Sequence, residues 1–375
     1  AADTLYISRV HLYIHVPFCA RRCTYCDFAI AVRRHVPSDD FVTDVLREWD
    51  GWLAHPVWSR SPVVETIYFG GGTPSHLDPT GIERLLSRFA ADRPLAADAE
   101  ITLEANPDDV SSAAAMAWAS AGINRVSLGV QSFDQRVLDW MHRTHTSEQV
   151  PMAVAELREA GITDLSLDLI FGLPASLGRD WEGDLARAVA LEPGHLSLYG
   201  LTVEEHTPLA RWTAAGRVPV VDEEQYAAEF LVAHEAMEQA GYEHYEVSNA
   251  ARPGHRARHN SAYWTRAPFI GLGPSAHSGF GTTRQWNVRE WQAYHDSGAA
   301  GRTLVAGSES LEPRQAALEE VYLGLRTTQG LPVQRLSRPL QERWTAAGWA
   351  RLDGDRVRLT AEGWLRLDAL AASVS

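Results

Sequence analysis

Cys19, Cys23 and Cys26 carry the most evident chemistry, and they are every cysteine in a chain of 375 residues. They stand in the loop Cys19-Ala20-Arg21-Arg22-Cys23-Thr24-Tyr25-Cys26, directly after the apolar run 10–16. Cysteines that only fill core gaps are scattered along a chain. Three in one short loop point to a shared soft ion or cluster. Three thiolates would leave one iron of a four-iron cluster open to an outside ligand. Zinc competes, because His15 is near and a three-cysteine, one-histidine set is a known zinc site. Packed structural thiols are the third alternative. A disulfide framework does not suit an odd count in a long chain with no signal segment ahead of it.

Other residues with chemical potential stand at intervals along the chain. Gly70-Gly71-Gly72-Thr73-Pro74 follows a short apolar strand. Its glycines either let backbone amides approach a charged small molecule or make a tight turn. Glu104, Gln131 and Asp168 each fall at or near the end of a strand. Singly each is as well explained as a cap or a solvated loop residue. Farther on, His259-Asn260-Ser261-Ala262-Tyr263-Trp264 sits among Arg252, Arg256, Arg258 and Arg266. An imidazole can ligate heme iron, flat aromatic faces suit a porphyrin, and arginines suit its propionates. The plain alternative is a surface loop whose histidine and tryptophan pack on the body of the protein.

The elements that must position these residues follow from periodicity. Residues 39–53 repeat Val42, Val45, Leu46 and Trp49 at helical spacing. Strands are expected at 65–69, 99–104, 125–130, 164–170 and 195–201, with helices at 110–121, 137–141, 148–160, 181–190 and 223–239. Gly122 and Gly161 stand at helix stops. Strand-then-helix units with short loops predict an α/β fold with a parallel sheet, closed or partly closed into a barrel. Polar residues at the strand C-terminal ends then converge on one barrel mouth, which turns Glu104, Gln131 and Asp168 into a candidate ligand site. The chain changes character near residue 305. The expected division is a barrel with the heme-motif extension over 1–304 and a small α+β winged-helix-like unit over 305–375. That unit has helices near 314–325, 340–347 and 361–372 and a hairpin at Asp353-Gly354-Asp355.

Composition narrows the partners. A formal net charge of −14 and a neutral C-terminal unit, nine Arg against nine Asp and Glu, argue against nucleic-acid binding. The small unit is then a structural or protein-contact module. No apolar run approaches membrane-spanning length, which leaves peripheral contact as the open membrane role. Reduced thiols without a targeting segment lead to the expectation of a cytoplasmic protein.

The loop with its flanks, Tyr13-Ile14-His15-Val16-Pro17-Phe18-Cys19 and Cys26-Asp27-Phe28, resembles the cluster loop of radical S-adenosylmethionine (SAM) enzymes. Within that superfamily it is similar to the oxygen-independent coproporphyrinogen III oxidase family and its heme-chaperone branch. The likeness runs from about Tyr13 to the C-terminus. It implies a partial (β/α)6 radical SAM barrel with a 4Fe-4S cluster on Cys19, Cys23 and Cys26, and SAM on the open iron. It further implies SAM contacts from Tyr13, Gly71, Gly72, Thr73, Glu104, Gln131, Arg143 and Asp168. Asp168 would serve the ribose hydroxyls, as acids do in nucleotide sites, and Tyr25 would lie beside the adenine. His-Asn-x-x-Tyr-Trp marks the heme-chaperone branch, which implies heme binding at His259, Tyr263 and Trp264.

Three functions stay in play. A heme chaperone would pass heme to an acceptor protein the sequence does not identify, as a monomer or a homodimer. A coproporphyrinogen oxidase would decarboxylate two propionates by radical chemistry. Against it, the oxidases carry a fourth cysteine where this chain has Phe28, and a longer N-terminal segment. A radical SAM methyltransferase is the third, and His-Asn-x-x-Tyr-Trp weighs against it.

Overall fold

The computed structural model describes residues 9–58, 62–219 and 222–374; the stretch ahead of the first strand lies outside them. Six strands run parallel, side by side and in chain order: β1 (Arg9–Val16), β2 (Val63–Gly71), β3 (Leu95–Ala105), β4 (Arg125–Gln131), β5 (Asp164–Phe171) and β6 (His195–Gly200). Helices such as Ser38–Trp52, Pro79–Asp92, Ser112–Ala121, Gln149–Glu159 and Trp181–Ala190 connect them. This is the expected partial barrel. The sheet continues at both ends. Phe269–Leu272 adds a parallel strand on the free side of β1, and three antiparallel strands extend it, ending with Val305–Ser310. Beyond β6 lie Asn249–Ala251 and Glu243–Glu246, both antiparallel.

The strand sequences explain the two faces of this sheet. Side chains alternate sides along a strand. Leu12, Ile14, Ile67, Phe69, Leu103, Val126, Leu128, Leu167 and Leu198 are apolar, and all are buried in the main core. The intervening positions are polar: His11 and His15, Thr66, Glu100 and Glu104, Arg125 and Ser127, Ser166 and Asp168, His195 and Ser197. The concave face is therefore a hydrogen-bonded interior rather than an apolar one. Helix starts are fixed by side-chain caps, with Asp78 accepting from Thr80 N, Ser111 from Ala114 N and Asp180 from Gly183 N. Gly122, in the left-handed region at φ 106°, closes the helix Ser112–Ala121.

Val305–Ser310 still pairs in the large sheet. The C-terminal unit then opens with the helix Pro313–Arg326 and holds a three-stranded sheet of Leu331–Pro332, Arg356–Leu359 and Ala350–Asp353. Where one final helix is expected, two short ones occur, Ala361–Trp364 and Leu367–Ala372. Arg366 at φ −120°, ψ 15° interrupts the helical backbone between them. The unit is tied to the barrel through Arg326, which pairs with fully buried Glu246 at 2.9 Å and lies 4.3 Å over the Trp264 ring.

Candidate functional site

The cysteine loop is held at its base and across its middle. Phe18–Cys19 pairs in parallel with Ala31–Val32, so the chain leaves and returns at one place. At its centre, Thr24 N donates to Met141 O at 3.2 Å and Thr24 O accepts from Leu209 N at 2.8 Å. The loop thus hangs over the C-terminal ends of the strands. There a cavity of about 380 Å³ opens, and Cys19, Cys23, Tyr25 and Cys26 line it. From the strand ends come Gly71, Gly72, Thr73, Glu104, Gln131 and Asp168, and Arg143 comes from the loop after the helix Gln135–Trp140. Sequence reasoning missed several neighbours, among them Asn106, Ser127 and Tyr199. Alternation along β4 and β6 puts Ser127 and Tyr199 on the same face as Gln131 and Ser197, which was a usable signal.

Hydrogen bonds set the chemistry of this cavity. Thr73 Oγ1 donates to Cys19 Sγ at 3.4 Å, and an Arg143 N–H to Cys23 Sγ at 3.6 Å. Arg143 also donates to Asn106 Oδ1 at 2.5 Å and Gly129 O at 2.9 Å. Its buried Nε has no hydrogen-bond partner among the described residues. Burial pushes the Cys19 thiol up to about 11, against the Thr73 hydrogen bond, and raises Cys26 as well. Binding a soft metal centre would deprotonate these thiols. Among the described residues no three His, Cys, Asp or Glu side chains gather tightly enough for one ion. His15, the fourth ligand a zinc site would need, has Nδ1 on Tyr13 OH and Nε2 on Ala29 O. Three thiols lining one cavity, with the buried Arg143 guanidinium beside Cys23, fit an open iron–sulfur cluster.

Two carboxylates lie deeper. Glu104 accepts from Tyr68 OH at 2.8 Å and Gly71 N at 3.0 Å. Burial pushes it up to about 7; the Tyr68 hydrogen bond opposes this and the Asp168 charge adds to it. Asp168 takes Ser127 Oγ at 2.9 Å on each oxygen and Ser166 Oγ at 3.2 Å, and burial raises it too. Gln131 ends β4 in the left-handed region at φ 68°, a strained backbone for a non-glycine residue that recurs at ligand sites.

The glycine loop has a packing reason of its own. A Cβ at Gly71 would meet the His15 ring at 2.6 Å, and one at Gly72 would meet Pro17 C at 2.8 Å. Gly72 N donates to Val16 O at 2.7 Å and Gly71 N to Glu104. Both amides are thus spent within the protein, and the close approach here is between this loop and the cysteine segment.

The remaining expected residues lie elsewhere. Tyr13 lines a neighbouring cavity, not the one with the cysteines. His259, on the helix Arg258–Trp264, is 1% exposed and closes the other end of the barrel. Its Nδ1 bonds Thr66 Oγ1 at 2.6 Å, its Nε2 bonds Tyr263 OH at 2.8 Å, and its ring stacks on Tyr68. Burial holds it well below the usual imidazole range. Neither ring nitrogen is free for iron. Trp264 lies under Arg326 and lines neither cavity. Tyr263 faces the same cavity as Tyr13.

Residues 13–187 match the model of the radical SAM superfamily, and residues 311–366 that of the HemN C-terminal domain. The chain is 36% identical to the heme chaperone HemW of Synechocystis sp., over 87% of this chain and 80% of that protein. It is 37% identical to the HemW of Mycobacterium tuberculosis, over 93% and 90% respectively. Its fold matches the solved coproporphyrinogen III oxidase HemN, a radical SAM enzyme from Escherichia coli, with a TM-score of 0.81 at 22% identity, covering 98% of this chain and 90% of that one. With its cysteine loop at the mouth of a partial barrel and relatives matched over most of their length, the chain belongs to the radical SAM superfamily and, within it, to the HemW heme-chaperone family.

Proposed function

We propose that the chain binds heme and hands it to an acceptor protein, and that it does so with a 4Fe-4S cluster and SAM bound at the barrel mouth. The observation that carries this is one cavity lined by three thiols, Arg143 and the acids Glu104 and Asp168, in a chain that also holds His-Asn-x-x-Tyr-Trp. Cys19, Cys23 and Cys26 hold the cluster, with Thr73 and Arg143 donating hydrogen bonds to two of the sulfurs. The cluster supplies an open iron for the amino and carboxylate groups of SAM and electrons at low potential. Asp168, already oriented by Ser127 and Ser166, accepts from the ribose hydroxyls. Tyr25 packs beside the adenine. His259 is a positioning residue: it fixes the Tyr263 hydroxyl and anchors the motif helix through Thr66.

Among the described residues no helix is long and apolar enough to cross a membrane. We place the chain in the cytoplasm, where its thiols stay reduced. The part through Ser310 then serves as barrel and heme carrier and the unit from Pro313 onward as a protein-contact module. The test is anaerobic. Reconstituted protein is titrated with heme, and separately given coproporphyrinogen with SAM and a reductant. Saturable, stoichiometric heme binding without release of carbon dioxide is expected. Decarboxylation without saturable heme binding would refute the proposal.

A further inference from the structure

A second cavity, of about 370 Å³, lies beside the cysteine cavity, and the Asp27–Phe28 stretch just past the third cysteine borders both. Its walls are aromatic. Tyr263 and Phe269 meet edge to face with ring centres 4.8 Å apart, and Phe28 leaves 57% of its surface exposed. Aromatic side chains lining a formed cavity are the usual wall of a small-molecule site.

Asp27 and Ser275 line it as well, and three nitrogen-bearing side chains reach it: His15, His277 and Arg289. They differ in what they have to spare. His15 is spent on Tyr13 and Ala29. His277 is exposed, its ring stacks on Trp286, and no hydrogen bond to either ring nitrogen occurs among the described residues. Arg289, also exposed, donates at 2.8 Å to the Asp27 carbonyl, and no carboxylate pairs with it among the described residues.

A cavity with aromatic rings on its wall, a free imidazole and a guanidinium without a carboxylate together suit an iron porphyrin with propionates. From this we infer that heme binds in this second cavity, with His277 as the iron ligand and Arg289 holding a propionate. This rests on the heme reading above and replaces His259 as the ligand within it. Tyr263 and Phe269 provide the wall for the macrocycle, and the hydrogen bond between Tyr263 and His259 keeps Tyr263 turned into the cavity. Only the tyrosine of the motif then touches heme directly.

The experiment is heme titration of reconstituted full-length protein, followed by the Soret band and by electron paramagnetic resonance. Wild type, His277→Gly, Arg289→Gln and His206→Ala are compared, His206 being an exposed histidine that lines neither cavity. Iron and sulfide content checks that each variant keeps its fold and cluster. His277→Gly should lose the imidazole-ligated spectrum, and added imidazole should restore it. Arg289→Gln should keep the spectrum and weaken binding by about tenfold, the loss of one charge-assisted contact. His206→Ala should match wild type. If His277→Gly keeps the wild-type spectrum and affinity, this placement is wrong while the chaperone reading stands. If wild type itself shows no saturable heme binding, both fall.

Discussion

Gly71→Ala should damage the protein at the junction between the glycine loop and the cysteine segment, and its magnitude can be worked out. Gly71 has φ 112°, where any residue with a Cβ is strained, at a cost of about 1–2 kcal/mol. The added Cβ would also stand 2.6 Å from the His15 ring. That ring is pinned by bonds to Tyr13 OH at 3.1 Å and Ala29 O at 3.0 Å. Turning it away loses both, at about 1 kcal/mol each. The total is then about 3–4 kcal/mol. Gly161→Ala is the matched control, since Gly161 has φ 89° and nothing within 4 Å of its Cβ position. It should carry the backbone cost alone, about 1–2 kcal/mol. Urea unfolding of both variants, compared by midpoint at unchanged slope, reads the difference. Because Ala29 lies just past Cys26, Gly71→Ala should also retain less iron after reconstitution. Equal midpoint shifts for the two variants would refute the steric account.

Further outcomes follow from the other contacts. Anaerobic reconstitution should give about four iron and four sulfide per chain, and Cys19→Ala, Cys23→Ala or Cys26→Ala should each lose most of both; stoichiometric zinc without sulfide would count against the cluster. Asp168→Ala should weaken SAM binding by about 1.5–3 kcal/mol with cluster content unchanged, measured by equilibrium dialysis; unchanged affinity would mean that the site is misplaced. Glu48 accepts from Gly273 N, Tyr294 OH and Asn287 Nδ2, and burial pushes it up to about 7. Its raised value means that the folded state binds its proton more tightly, so stability from this group is full below about pH 4.5 and falls as pH rises towards 7. The loss amounts to about 3 kcal/mol. Thermal melts of Glu48→Gln should show a shallower fall between pH 5 and 7, and an identical pH profile would exclude the assignment.

The parts of the site that sequence could show were those fixed by local spacing. The cysteines share one loop, and Glu104, Gln131 and Asp168 end strands whose apolar alternation was plain, so a common mouth followed from the parallel topology. What spacing could not show was which distant segments meet. Tyr13, expected at the SAM site, faces the second cavity because β1 takes Phe269–Leu272 as a neighbour on its free side. His259 looked available for iron, since its burial depends on Thr66, about 190 residues earlier in the chain. The glycines read as a ligand cradle, yet the atoms that forbid a Cβ there belong to His15, Pro17 and Phe18. His277 and Arg289 carried no motif of their own, and only the fold puts them on one wall.

The place of β1 also bears on how the chain is made. One side of β1 pairs with β2, but its other side waits for Phe269–Leu272, about 250 residues later. At ordinary rates of synthesis that interval lasts roughly ten to fifty seconds. Throughout it the nascent barrel presents an unpaired strand edge with His11 and Tyr13 uncovered, the kind of surface that recruits other strands. Release factors acting early, or a ribosome stalled before Phe269, would leave that edge open on a nearly complete barrel. Chains truncated there should aggregate, and those extending through Ser310, which also carry the strands that cover Phe269–Leu272, should stay dispersed.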